Sequence, residues 1–278
     1  MHHLLSGYFQ SAYTRSLNPL AYYPTHPPYS TKIMLYTLPE LLAVLIVTCG
    51  IALQTVVGIG YGLVAAPLLY LIDPAYVPGP VLLVGFGLAL MMVIRERRAL
   101  RWQRVLPAIF ARVPGAWCGA ALLVALPQYA LSLFFGFSVL TAVLLSLWRF
   151  SIPTTGTSLT IAGFFSGLMG TATSVGGPPI ALVYQQQDRI TARSEIAAFL
   201  LIGTPVSILM LIYKGSLDWH SAQLSLKMLP GLFLGFFLAR LIDGKLKPTS
   251  AKPLLLTVSG VSALLVTVKG LTGWLGYL

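Results

Sequence analysis

The feature that most constrains this chain is an uncharged run from Phe150 to Gln187 with glycine, hydroxyl and proline residues at its centre. The run contains 38 residues (187 − 150 + 1), and as a single α-helix it would be about 57 Å long. The hydrocarbon core of a bilayer is only about 30 Å thick. The run must therefore bend or break inside a membrane, which is tolerated only where the backbone is buried in protein or lines a wet cavity.

The break is expected within residues 170–179, which read Gly-Thr-Ala-Thr-Ser-Val-Gly-Gly-Pro-Pro. Proline suits the first turn of a helix because it has no N–H to leave unpaired, so Pro178 and Pro179 predict a helix restart. Gly176 and Gly177 lack the Cβ atom that would keep a ligand away from the backbone. Broken membrane helices form binding sites, although glycines also serve close helix packing. The candidate hydrogen-bonding groups here are Thr171, Thr173, Ser174, Tyr184 and Gln185.

Composition places the chain among multi-pass membrane proteins with an all-α fold. Of its 278 residues, 56% are hydrophobic and 9% are charged, whereas soluble domains carry about 25% charged residues. The net charge of +11 comes from cations between apolar runs, where such charge sets topology and contacts anionic lipid. We therefore expect the lipid bilayer as a partner and no nucleic acid. We also expect no cofactor and no metal site.

The chain divides into a tail and two halves. Residues 1–33 are polar and are expected to form a disordered tail, and Met34 is a candidate for the true start. Residues 38–149 and 150–270 are predicted to be two membrane repeats of four apolar segments each, or about eight segments in all. The first repeat opens with a second uncharged run, from Leu41 to Ile72, which again exceeds one crossing. Its candidate site residues are Gln54, Gly58, Gly60 and Gly62.

Paired motifs support an internal duplication. The segment 113–119, Val-Pro-Gly-Ala-Trp-Cys-Gly, matches the segment 229–235, Leu-Pro-Gly-Leu-Phe-Leu-Gly, at a shift of 116 (230 − 114). Gly58 matches Gly170 at a shift of 112 (170 − 58), as Pro67 matches Pro179.

The arrangement of the two halves depends on the number of crossings. Four crossings per half would make the repeats parallel, and this is the arrangement that the count of eight segments favours. If each Gly-rich segment is a re-entrant hairpin, each half crosses an odd number of times and the repeats are inverted. The inverted arrangement would place Lys245 and Lys247 on the same side as the strongly basic stretch Arg95–Arg104, in agreement with the positive-inside trend.

Charged residues near the spans allow two interpretations. Arg112 and Arg240 interrupt apolar stretches, and they either pair with an anion in transit or snorkel to the membrane interface. Arg193 either faces the mouth of the site or is an ordinary helix-end charge. All seven acidic residues lie at span edges, so the residues themselves predict no buried carboxylate for proton transfer. Because no histidine or carboxylate occurs within a span, an intramembrane enzyme is not expected.

With these motifs the chain resembles the TauE/SafE family of sulfite-exporter-like permeases over residues 38–270. The resemblance rests on the Gly-rich stretches 58–62 and 163–170, each followed by a proline, and on the Pro-Gly-x-x-x-Gly segments that begin at Pro114 and Pro230. It implies a secondary transporter in the inner (plasma) membrane that moves sulfite, sulfonates or sulfoacetate and is coupled to protons. The alternative is a channel, or a transporter for another small organic anion or ion.

Overall fold

The computed structural model describes residues 36–58, 60–147, 152–242 and 248–276, with the backbone alone for 248–251. The predictions for residues 1–33, Met34, Lys245 and Lys247 lie outside the described residues. The described part of the membrane unit consists of ten α-helices without a strand. They are α1 Leu38–Val57, α2 Tyr61–Ile72, α3 Gly79–Glu96, α4 Trp102–Ala125, α5 Gln128–Leu147, α6 Gly156–Thr173, α7 Gly177–Val183, α8 Arg189–Tyr213, α9 Trp219–Ile242 and α10 Pro248–Leu275.

Helix length and composition confirm an all-α, multi-pass membrane protein. Among the described residues, seven helices are long and apolar enough to cross a bilayer, namely α1, α3, α4, α5, α8, α9 and α10. Helix α6 is an eighth long helix with 18 residues, and glycine, serine and threonine dilute its hydropathy. Many large apolar side chains point outward from these helices, including Phe110, Phe137 and Leu209. Such outward apolar surface is suited to lipid rather than water.

Both uncharged runs break where their glycines predicted. The first break separates α1 from α2: Gly58 has a φ of 97° and its N–H donates to the carbonyl of Gln54, and Gly60 has a φ of 134°. The second break separates α6 from α7, and its first residue, Ser174, also has a positive φ, of 63°. Helix α7 restarts at Gly177 with proline in its first turn, as expected.

The positions of the two breaks correct the sequence alignment of the halves. The left-handed residue at the end of the first helix is Gly58 in one half and Ser174 in the other, which is a shift of 116 (174 − 58). The residues that precede the second helix are Gly60 and Gly176, again a shift of 116 (176 − 60). The shift of 112 inferred from Gly58 and Gly170 is therefore wrong by one helical turn. It arose because glycine recurs at helical intervals along α6.

The helices of the two halves pack reciprocally. Helix α4 lies along α6 and helix α9 lies along α1, while α3 packs on α8 and α5 packs on α10. The matched glycines make these contacts: a Cβ atom on Gly231 or Gly235 would lie 2.7 or 2.5 Å from a carbonyl oxygen of α1, and Gly115 and Gly119 meet carbonyls of α6 in the same way. Small residues thus let the backbones approach closely. Such an exchange of partners is what a duplicated chain would produce, and the duplication itself stays a prediction.

The directions of the helices place the two halves in an inverted arrangement. We define the Arg-rich face as the end of the molecule that carries the stretch Arg95–Arg104 between α3 and α4. Helix α4 starts at this face, and α6 runs parallel to it, since Gly163 meets Ala108 and Gly167 meets Ala116. Helix α1 runs the opposite way and ends at this face, where Arg189 donates to the carbonyl of Val56.

The parallel arrangement favoured by eight full crossings is therefore corrected. Helix α2 folds back along α1, since a Cβ atom on Gly50 would lie 3.4 Å from the ring of Tyr61 and 3.6 Å from Ala65. Helix α7 folds back along α6, because the Thr154 hydroxyl donates to the carbonyl of Val183 at 2.9 Å. The chain thus reverses its direction between each helix and the next within a half. Because each half has five helices, an odd number, the second half begins at the face opposite to the one where the first half begins.

Candidate functional site

A small cavity lies where the two breaks meet helices α3 and α8. Its volume is about 50 Å³, which is room for roughly three or four water molecules. We call it the central cavity. Eight of the predicted site residues line it, namely Gln54, Gly58, Gly60, Gly62, Ser174, Gly176, Gly177 and Pro178. Its other walls include Tyr61, Gly85, Gly170 and Thr204.

The two breaks touch each other at this cavity. A Cβ atom on Gly62 would lie 2.5 Å from the carbonyl oxygen of Ser174, so a larger residue at position 62 would push the breaks apart. The Ser174 hydroxyl donates to the carbonyl of Pro78 at 2.8 Å and is thereby held toward the start of α3. Across the first break, the Gln54 side-chain oxygen accepts the Tyr61 N–H at 2.7 Å. The amide N–H₂ of Gln54 is the part of that side chain left to donate to a ligand.

Arg112 also lines the central cavity, although it lies within the long helix α4. Its side chain is 1% exposed. Its two terminal nitrogens donate to Ser166 and Ser207, each at 3.2 Å. Its Nε has no hydrogen-bond acceptor within the described part of the chain. Of the two interpretations of this arginine, snorkelling to the interface is wrong.

The surroundings of Arg112 are built to admit a guanidinium but not to neutralise it. The ring of Phe199 covers it, with its centroid 4.9 Å from Cζ, and Gly203 leaves the space that its side chain fills. The ion pairs made by the described residues, Arg193 with Glu96 and Lys227 with Glu40, do not include Arg112. It is a buried cation held by two neutral hydroxyl groups.

These hydroxyl groups connect Arg112 to the second break. Ser166 donates to the carbonyl of Gly176, and Ser207 accepts from Thr171 at 2.8 Å. Thr171 therefore supports the site from behind and does not line the central cavity. Both serines are fully buried, so the position of the guanidinium is fixed relative to the backbone of the break.

The remaining predicted site residues lie elsewhere. The hydroxyl of Thr173 donates to the carbonyl of Met169 at 2.7 Å within its own helix. Pro179 lines a separate apolar groove on the far side of α7. Arg240 is exposed in the last turn of α9 and is not a wall residue of the central cavity, so its place in an anion pathway stays a prediction. Proximity in sequence to the Gly/Pro motif did not place these residues at the site, because successive residues of a helix face different directions.

Tyr184, Gln185 and Arg193 line a second, wider opening that we call the vestibule. Its volume is about 330 Å³. It lies at the Arg-rich face, because the Arg193 guanidinium is 2.8 Å from the carboxylate of Glu96 at the end of α3. The vestibule and the central cavity share Gly58 and Ile196 as wall residues, so the two are neighbours. Arg189 and Lys252 add positive charge to its wall, and such a cationic mouth concentrates anions.

One comparison with known proteins identifies the family. The family model described as Sulfite exporter TauE/SafE matches residues 42–266, which is 225 of 278 residues (266 − 42 + 1). The chain belongs to the TauE/SafE family. No curated protein and no solved structure matches it. As a TauE/SafE protein it is a member of a membrane transporter family, and this membership confirms the resemblance drawn from its Gly/Pro motifs.

Four residues of this TauE/SafE protein were missed in the sequence analysis. Ser166, Ser207 and Phe199 surround Arg112, and Glu195 is fully buried although it lies near the start of a span. The position of the acidic residues at span edges in the sequence therefore did not indicate the burial of Glu195. One signal was available: residues 195, 199, 203 and 207 recur every fourth position and so share one face of α8.

Proposed function

We propose that this TauE/SafE protein is a secondary transporter of small sulfur-containing anions such as sulfite, sulfonates or sulfoacetate. In this proposal the anion binds in the central cavity between the two breaks. Arg112 supplies the positive charge, and backbone and side-chain donors of the breaks supply the remaining hydrogen bonds.

The observation that carries the proposal is the buried, unneutralised guanidinium of Arg112. Taking a cation out of water costs several kcal/mol unless a counter-charge and hydrogen bonds compensate for it. Two serine hydroxyls compensate for only part of that cost, and no carboxylate of the described residues pairs with Arg112. Ionisable residues inside a membrane are expensive and mark substrate and ion pathways. An anion in the adjoining cavity is the counter-charge that Arg112 lacks.

The size of the central cavity favours a compact anion. A volume of about 50 Å³ suits a headgroup of one central atom with three oxygens better than a bulky organic acid. A guanidinium is planar and presents several donors at once, so it matches an oxyanion in a bidentate manner. Gly177, where a Cβ atom would meet nothing within 4 Å, lets that headgroup approach the backbone closely, whereas Gly176 packs against Ser166.

The inverted arrangement of the two halves supports alternating access rather than a permanent pore. In transporters built from inverted repeats, the site lies between broken helices, and one repeat rocks against the other. Here the breaks contact each other through Gly62 and Ser174, so a relative movement of the halves would open or close the cavity. We further propose that transport is coupled to protons and that the protein resides in the inner (plasma) membrane. A channel for the same anions is the alternative.

The test is uptake of radiolabelled sulfite, sulfoacetate and taurine into proteoliposomes, with and without an imposed pH gradient. Gly177 lines the cavity and a Cβ atom there would meet nothing within 4 Å, so Gly177→Leu is expected to fill the cavity without disturbing the backbone and to abolish uptake. Gly156→Leu is the matched control, since Gly156 also begins a helix and also faces open space. It should transport normally.

The outcomes separate the alternatives. Accumulation above the external concentration supports a coupled transporter, whereas equilibration without accumulation indicates a channel. Uptake that Gly177→Leu leaves intact would refute the location of the site. If the wild-type protein transports none of the three compounds, the sulfur-anion assignment is wrong.

A further inference from the structure

Helix α8 carries a buried carboxylate, Glu195, that the proposed anion site does not use. Its side chain is 0% exposed, and neither carboxylate oxygen has a hydrogen-bond partner within the described part of the chain. The nearest cation in sequence, Arg193, is engaged with Glu96 at 2.8 Å. An ionised carboxylate in such surroundings is costly, and binding a proton removes that cost.

The groups that face Glu195 come from two neighbouring helices and from its own helix start. From α7 comes Tyr184, whose buried hydroxyl has no hydrogen-bond partner of ordinary geometry. From the start of α4 come Arg101 and Arg104, and from the start of α8 comes Asp188. These three charges are exposed to solvent. Helix α6 has no titratable residue, and the carboxylate of α3, Glu96, belongs to the pair with Arg193.

Glu195 lies on α8 next to residues that line the vestibule and the central cavity, although it lines neither of them itself. Its neighbour in sequence, Ile196, lines both the vestibule and the central cavity, and Tyr184 lines the vestibule. One turn further along the same face of α8, Phe199 stacks on Arg112, and two turns beyond that Ser207 accepts a hydrogen bond from Arg112. Glu195 is therefore the first residue, on the N-terminal side, of the α8 face that contacts the guanidinium.

This placement links proton binding to anion binding. An ionised Glu195 would repel an anion that passes from the vestibule to the central cavity. A protonated Glu195 would not. Because coupling between two ligands is reciprocal, an anion in the cavity must favour the protonated carboxyl as much as the proton favours the anion.

We propose that Glu195 binds the coupling proton of this transporter, that Tyr184 exchanges this proton with water in the vestibule, and that proton and anion move in the same direction. The proposal rests on the proposed function for its cargo. The position and protonation of Glu195 do not depend on which anion is carried.

The first experiment needs no substrate. Infrared spectra of the purified wild-type protein at neutral pH should contain the absorption of a protonated, weakly hydrogen-bonded carboxyl group, and Glu195→Gln should lack it. Asp218→Asn is the control, because Asp218 is an acidic residue at the start of α9, remote from the vestibule lining, and should leave the band unchanged. Spectra of wild type and Glu195→Gln that are identical in this region would overturn the proposal.

The second experiment measures coupling in proteoliposomes with radiolabelled sulfoacetate, whose charge does not change near neutral pH. Glu195→Gln should keep exchange of sulfoacetate at equal concentrations on both sides, and it should lose accumulation driven by a gradient that is acidic on the side of addition. A loss of about tenfold or more in accumulation lies within the usual range of coupling. Accumulation by Glu195→Gln equal to wild type, or accumulation driven by the opposite gradient, would overturn the proposal.

If Glu195→Gln does not fold, Tyr184→Phe tests the proposal instead. It should shift the carboxyl band, since the facing hydroxyl is removed, and slow gradient-driven uptake severalfold while exchange persists. An unchanged band together with unchanged uptake would refute the role of both residues. Absence of anion exchange by the wild type would instead refute the proposed function, and the infrared result would still decide whether Glu195 holds a proton.

Discussion

Replacing Arg112 by methionine is expected to weaken anion binding strongly while leaving the stability of the empty protein almost unchanged. Methionine retains an unbranched apolar side chain for the space beneath Phe199 and removes the charge. The substitution removes two hydrogen bonds from a charged donor, each about 1.5–3 kcal/mol, and one cation–π contact of about 2 kcal/mol. It also removes the desolvation cost of the buried cation, which is several kcal/mol.

The opposing contributions nearly cancel, and the substitution leaves its former partners satisfied. Ser166 still donates to the carbonyl of Gly176, and Ser207 still accepts from Thr171 and donates to the carbonyl of Gly203. No buried polar atom therefore loses its last partner, which is the usual source of large destabilisation. The free energy of unfolding without ligand should change by less than about 2 kcal/mol, in either direction.

The free energy of anion binding should change by more than the free energy of unfolding does. Loss of a bidentate, charge-assisted contact in a buried site is worth about 3 kcal/mol, which is a factor of about 150 in Kd. Titration calorimetry with sulfite and thermal unfolding with and without sulfite measure both quantities. Arg112→Lys, which keeps the charge but not the planar fork, should lose part of the affinity. Arg240→Met is the matched control, because the same substitution is made at an exposed arginine.

Two results would refute the reasoning. If Arg112→Met binds sulfite as tightly as wild type, neutral donors hold the anion. The second result concerns the free energy of unfolding without ligand. If this free energy is more than about 3 kcal/mol lower for Arg112→Met than for wild type, and Arg240→Met shows no such loss, the guanidinium stabilises the fold rather than binding a ligand.

Two further predictions concern packing and pH. Gly115→Ala should destabilise the protein by about 1–3 kcal/mol, because its Cβ atom would overlap the carbonyl of Phe164. Gly260→Ala is the control: its nearest neighbour atom is 4.0 Å away, so it should be neutral or stabilising by up to about 1 kcal/mol. Equal effects of the two substitutions on thermal unfolding would contradict the packing of α4 on α6. The hydroxyl of Thr191 and the N–H groups of Thr191 and Ile190 lower the pKa of Asp188 from 3.8. The stabilisation that Asp188 gives as the N-cap of α8 should therefore be present at neutral pH and disappear as pH falls through that lowered pKa. A stability difference between wild type and Asp188→Ala that persists unchanged in acid would contradict this prediction.

The positions of the helix breaks could be predicted because they depend on local quantities. A run of 38 uncharged residues exceeds any bilayer, and glycine and proline mark where its backbone can turn. The eight cavity-lining residues predicted in the two motifs follow from the same logic, since the breaks themselves form the wall. The incorrect shift of 112 has a local cause as well, because Gly163, Gly167 and Gly170 recur at helical spacing and match by chance.

The central charge could not be placed in the same way. In the sequence Arg112 interrupts an apolar stretch, and this pattern left snorkelling to the membrane interface as one of two interpretations. The structure instead begins α4 at Trp102 and buries the arginine against α6 and α8. Glu195 illustrates the same limit, since it lies near a helix start in sequence and inside the protein in space. Distance from the end of a span says nothing about which neighbouring helix covers a residue.

The sequence by itself determined that the protein is a multi-pass helical membrane protein, where its two runs break and which family it resembles, because hydrophobic length and backbone preference are properties of short segments. The tertiary structure decided that the halves are inverted, that Arg112 faces the cavity unneutralised and that Glu195 is buried beside Tyr184. These features depend on which helices pack together and in which directions, and packing between distant segments determines burial and therefore the energy of a charge.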